Sequence, residues 1–146
     1  MTTAEPIHVY TDGACAGNPG PGGWAWAVAP GGEPCGAGGE QRTTNQRMEL
    51  HAVLDAVRTL DADGRPIVVH SDSTYVVNCF RDGWWKRWRT NGWRNSKKEP
   101  VANADLWEPL VDAVEAGDVT FVWVKGHSGD RMNDLVDALA VAQIPR

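Results

Sequence analysis

The chain has 146 residues, 42% hydrophobic and 23% charged, enough for one domain to bury a core without staples and too apolar for a disordered or collagen-like chain. No apolar run approaches the ~20 residues that span a bilayer, and the opening MTTAEPIHVY lacks a basic start followed by an apolar block, so neither a membrane segment nor a secretory leader is expected. Three cysteines without CxxC spacing (Cys15, Cys35, Cys79) argue against a disulfide framework or a zinc site and point to a reducing, cytoplasmic setting.

The net charge of −5 is unevenly spread. Arg81 to Lys98 holds seven basic residues and one acid, a local charge of +6, which leaves −11 on the remaining chain. Such asymmetry is a better guide to partners than the total, and it admits a nucleic acid.

In chain order, Ile7 to Asp12 alternates β-branched and aromatic residues and is predicted as a strand. It ends on a carboxylate and runs into five glycines and two prolines between Gly13 and Trp24, more breakers than a plain hairpin needs. Gly22 to Pro30 is the second expected strand, and Gln41 to Thr43 a short third one after the glycine-rich GGEPCGAGGEQ. The period then changes. Leu50, Val53, Leu54, Val57 and Leu60 mark an amphipathic helix, capped by Thr44 or Asn45 and ended by Asp63-Gly64.

RPIVVHSDS is a short, continuously apolar strand that also finishes on a carboxylate, Asp72. STYVVNCFRDG is predicted helical, closing at Gly83. Trp84 to Pro100 is a basic insertion with Trp84, Trp85, Trp88 and Trp93, half of the chain's tryptophans. The next helix, ANADLWEPLVDAVEAG, should start near Asp105, because Pro109 lacks an N–H and fits only a first turn. DVTFVWVKGHSG is the last strand and MNDLVDALAVAQ the last helix. The order βββαβα, basic segment, αβα predicts an α/β fold of one domain over 1–146, a mixed sheet with helices on its faces.

Four acids stand where acids are awkward. Asp12 and Asp72 end apolar strands, Glu49 borders the apolar face of the first helix, and Asp137 interrupts LVDALAVA beside its core side. Singly, each reads as a cap, a turn former or an exposed helix acid. Together, two strand ends and two helix starts can meet at one edge of an α/β sheet, where such sheets bind ligands. Crowded carboxylates repel unless a cation holds them, and all-oxygen ligand sets select Mg²⁺ or Mn²⁺. His127, in the glycine-flanked loop VKGHSG, has the pKa range for proton transfer. Lys86, Arg87 and Arg89, interleaved with tryptophans, suit phosphate contacts and ring packing.

YTDGACAGNPGPGGWA, TTNQRMEL, VHSDSTYV, VKGHSG and MNDLVDALA together resemble the motifs of type 1 ribonuclease H, a family of nucleases that cut RNA in RNA/DNA hybrids, and the likeness runs from about Ile7 to Ala142. The resemblance implies the ribonuclease H-like fold, with five strands and a basic protrusion. It implies a catalytic set of Asp12, Glu49, Asp72 and Asp137, assisted by His127, and two Mg²⁺ ions on those carboxylates, Mn²⁺ able to substitute. The implied reaction is an in-line displacement leaving a 5′-phosphate and a 3′-hydroxyl.

Asn18, Asn45 and Gln46 would face the minor groove, Thr44 would hold a DNA phosphate, and Trp84 to Lys98 would make a second contact to the DNA strand through Trp84, Trp85, Lys86, Arg87, Trp88 and Arg89. Members often carry Asn at the place of Gln46 and Gln at that of Thr74. Asp134 rivals Asp137, which stands immediately before ALA at the family spacing from His127. The expected partner is a hybrid duplex, bound by a monomer without a membrane. A hybrid-binding module without activity and a DNA nuclease such as an integrase or resolvase are the rival readings.

Overall fold

A computed structural model describes residues 5–61, 64–126 and 130–145. Its elements are β1 (Ile7–Cys15), β2 (Gly20–Val28), β3 (Cys35–Thr43), α1 (Asn45–Leu60), β4 (Ile67–Ser71), α2 (Thr74–Asp82), α3 (Trp84–Thr90), α4 (Ala104–Ala116), β5 (Val119–Trp123) and α5 (Arg131–Ala142). The five strands form one mixed sheet in the order β3-β2-β1-β4-β5. β1–β2 and β2–β3 are antiparallel; β1–β4 and β4–β5 are parallel.

Strand alternation sorts the two faces. Ile7, Val9, Trp24 and Trp26 bury their side chains with Leu50, Val53, Val57 and Leu60 of α1. On the other face Ala27 packs against Met132 and Val136 of α5. Gly23 lets α5 sit close, since a Cβ there would lie 2.1 Å from the carbonyl oxygen of Ala140. Helices therefore cover both faces, as the order of elements predicts.

Four expectations are corrected. β1 runs three residues past Asp12, so Gly13 is strand rather than turn. β2 begins at Gly20, inside the glycine run. β3 extends back to Cys35 instead of starting near Gln41, because the glycine tract pairs where β2 needs bare backbone. A Cβ at Gly36 would lie 2.5 Å from the Trp26 indole nitrogen, and one at Gly38 2.7 Å from the Trp24 ring. Tryptophan rings thus occupy the volume that side chains on β3 would need. Lastly, α4 starts at Ala104, near Asp105 as expected, but Pro109 lies inside it beyond the first turn. The carbonyl that loses its donor belongs to exposed Asp105, where water can reach it.

Ser73 caps α2 by accepting from the Val76 N–H, and left-handed Gly83 (φ 74°) closes it, as predicted. Val124 N–H then bonds the Ser71 carbonyl, tying the chain after β5 to the end of β4. No helix among the described residues is long and apolar enough to cross a membrane.

Candidate active site

Parallel pairing of β1 with β4 decides where the first two acids meet. Thr11 is opposite Ser71, so the next residue of each chain, Asp12 and Asp72, emerges at the same end of adjacent strands. α1 crosses above β1 and brings Glu49 to that end. Gly13 permits the crossing, because a Cβ there would lie 2.5 Å from the Glu49 backbone nitrogen. Its N–H donates to Asp12 Oδ1 at 2.9 Å and to Glu49 Oε1 at 3.0 Å.

Carboxylate oxygens of Asp12, Glu49 and Asp72 lie within 4.8 Å of one another. Asp137 of α5 lines the same open cleft of about 420 Å³, with Gly13, Asn45, Gln46, Ser73, Thr74 and Tyr75. Asp134, the rival to Asp137, is exposed and not in the cleft lining.

Asp12 is 4% exposed and Glu49 9%. Burial pushes the Asp12 carboxyl up to about 7, and Asp72 and Asp137 push in the same direction against hydrogen bonding from Glu49 and Gly13. Burial likewise raises Glu49 well above the usual carboxylate range, reinforced by the Asp12 charge. Such a pair, free of cations, titrates as a unit and retains a proton near neutrality. Glu49 Oε2 is buried with no hydrogen-bond partner. A buried carboxylate oxygen left bare is unfavourable by itself and is a ready ligand for a hard cation.

The RNase H family model matches residues 4–144. The chain belongs to the ribonuclease H family. The ribonuclease H of Syntrophomonas wolfei subsp. wolfei is 52% identical over 137 residues, covering 93% of this chain and 94% of that protein. Among solved structures, LC9-RNase H1, a type 1 RNase H with the type 2 active-site motif, superimposes with a TM-score of 0.81 at 33% identity, over 95% of this chain and 72% of that one. LC11-RNase H1, solved in complex with an RNA/DNA hybrid, shares the fold with a TM-score of 0.72 at 21% identity, over 94% of this chain and 96% of that one. Membership makes the chain an endoribonuclease, a phosphodiester hydrolase.

Around the cleft, the other expected residues divide. The exposed Asn18 side chain accepts from the Asn45 N–H at 3.0 Å, holding the β1–β2 turn against the start of α1. Thr44 is the N-cap, its hydroxyl accepting from Arg47 N–H at 3.2 Å. His127 lies outside the described residues.

Trp84 to Arg89 lines no part of the cleft. These residues, expected as part of a basic insertion, lie in helix α3. Trp84 is exposed with Lys86 and Arg87, while Trp85, Trp88 and Trp93 pack partly against the core. Arg89 is engaged, 2.6 Å from Asp112. Trp84, Arg87, Trp88, Arg94 and Asn95 line a separate hollow of about 480 Å³.

Sequence reasoning missed Gly13 as a donor, Tyr75 in the cleft wall and Gly126 against Asp72. A Cβ on Gly126 would lie 2.9 Å from Asp72 Oδ2. The clustered glycines were the available signal. Tyr75 carried none, because its hydroxyl accepts from Trp107 Nε1–H across 32 residues of chain, at 2.8 Å.

Proposed function

We propose that the chain hydrolyses the RNA strand of RNA/DNA hybrids at the acidic cleft, with Asp12, Glu49, Asp72 and Asp137 holding two Mg²⁺ ions. The observation that carries this reading is the convergence of three carboxylates, two of them buried and one with a bare oxygen. The oxygen-only donor set fits Mg²⁺ or Mn²⁺, and no buried cation is needed to complete it. When bound, the two ions supply an activated water and stabilise the departing 3′ oxygen, giving 5′-phosphate and 3′-hydroxyl ends.

The remaining work falls to the protein. The Gly13 N–H orients Asp12 and Glu49 toward a common point. Asn18, Asn45 and Gln46, grouped at the β1–β2 turn and the start of α1, present amides to the minor groove. There the RNA 2′-hydroxyl distinguishes the strands. Thr44 shares its hydroxyl between helix cap and phosphate. His127 moves a proton at the leaving group. Trp84, Lys86 and Arg87, with Trp85 and Trp88 behind them, form the basic protrusion that receives the DNA strand. A hybrid as substrate accords with the hybrid bound by LC11-RNase H1.

The test is cleavage of labelled hybrid, duplex DNA and duplex RNA in Mg²⁺, with product ends identified. Only the hybrid's RNA should be cut. Asp12→Asn and Asp72→Asn should each abolish cleavage while hybrid binding persists. Turnover by either purified variant contradicts the ligand role, and retention of hybrids without cleavage by the unmodified chain establishes the binding-module alternative.

A further inference from the structure

Opposite the α1 face of the sheet, β4 and β5 extend beyond the cover of α5. Exposed His8 of β1 and half-buried His70 of β4 meet there, with His8 Nδ1 2.9 Å from His70 Nε2. His8 is opposite Val68 and His70 opposite Tyr10, so the two imidazoles approach diagonally across a parallel pair. Tyr10 stacks on His70 with ring centres 4.4 Å apart and planes 7° from parallel, which fixes the orientation of one imidazole. His8 is tilted 42° to it, on the solvent side, and is the ring that can turn.

We propose that His8 and His70 form a binding site for a tetragonal or octahedral divalent transition ion, Cu²⁺ or Ni²⁺, separate from the acidic cleft. Two imidazole nitrogens on adjacent strands, one ring fixed by stacking and the other exposed, can reach a shared ion, and imidazole is a preferred ligand of Cu²⁺ and Ni²⁺. The two rings now face each other through a hydrogen bond, so binding requires His8 to swing outward and the donating ring to change tautomer through solvent, its proton passing to its other nitrogen so that the ligating one offers a lone pair. The exposure of His8 allows the swing, and water completes the coordination.

Nitrogen ligands on this face and oxygen ligands in the cleft select different ions, so Mg²⁺ does not compete here. An ion at this position would cross-link β1 to β4, the strands that lead into Asp12 and Asp72.

The test is one equivalent of Cu²⁺ added to the full chain in excess Mg²⁺, read by electron paramagnetic resonance and by paramagnetic broadening of backbone amide signals. The expected spectrum shows two coupled nitrogens, with broadening centred on His8, Val9, Val68 and Val69. His8→Ala and His70→Ala should each lose the two-nitrogen signal, whereas His51→Ala and Asp12→Asn should keep it. Melting curves without copper check that His8→Ala is folded. A two-nitrogen signal that survives in His8→Ala, or broadening centred on Gly13 and Glu49 or on His51, overturns the proposal.

Discussion

Gly13 presents one N–H to two carboxylates, and its missing Cβ is what admits the second. Asp12 and Glu49 are held so close that like charges and burial keep a proton on the pair near neutrality. Asp12→Asn removes a charge from this group while preserving its shape. The variant should melt higher than the unmodified chain in chelator at pH 8, and lose the rise in melting temperature that Mg²⁺ gives the unmodified chain. Calorimetric melting with and without Mg²⁺ checks both. A lower melting temperature in chelator would mean that the charged Asp12 stabilises the fold, against its raised pKa. The same logic explains what was legible at this scale. An acid ending an apolar strand is visible in the sequence, whereas the N–H that serves it belongs to whichever backbone the fold brings near.

At the scale of elements, α1 and α3 carry separate tasks. α1 rests on β1 through the bare backbone at Gly13. Gly13→Ala would drive a methyl group to within 2.6 Å of the Met48 carbonyl carbon, so α1 must move away and take Glu49 with it. Displacing packed backbone costs on the order of 1–3 kcal/mol. We expect a lower melting temperature and a weaker response to Mg²⁺ together. A variant that melts normally with an unchanged Mg²⁺ response would show that the contact yields without moving the site.

In α3, exposed Lys86 and Arg87 are available to phosphates, while Arg89 is paired with Asp112. Replacing Lys86 or Arg87 by Ala should weaken hybrid binding and flatten the log–log salt dependence by about 0.7–0.9 per contact. Arg89→Ala should change the slope less. Titrations of a labelled hybrid at several salt concentrations give the slopes, and equal slopes in all three variants would mean the helix does not touch the backbone. The helical period at Trp84 and Trp88 was readable; the pairing of Arg89 with Asp112 on α4 was not, because it joins positions 23 residues apart in different elements.

For the whole molecule, the acidic cluster links folding to pH and to cations. The folded Asp12 carboxyl titrates at about 7, above its unfolded value of 3.8. A raised pKa contributes stability that is fully present below the unfolded value and is lost as pH rises through the folded one. In chelator, stability should therefore fall between about pH 4 and pH 7, by of order 4 kcal/mol at roughly 1.4 kcal/mol per tenfold change in proton affinity. Mg²⁺ or Mn²⁺ should restore more of it at pH 8 than at pH 5, where protons already neutralise the cluster. Denaturant unfolding in chelator at fixed pH values measures the slope. A flat profile would mean that the acids relax apart when no cation is bound.

Periodicity, caps and strand-ending acids are local properties, and they were sufficient to place α1, α2, α4 and α5, most strands and the four candidate ligands Asp12, Glu49, Asp72 and Asp137. The tertiary structure alone decided the length of β3, since that depends on tryptophan rings from a neighbouring strand lying over its glycines. It also decided that Gly13 bridges two acids and that His8 meets His70. Each is a contact between residues remote in the chain, set by strand register and helix placement, and no window of sequence contains both partners.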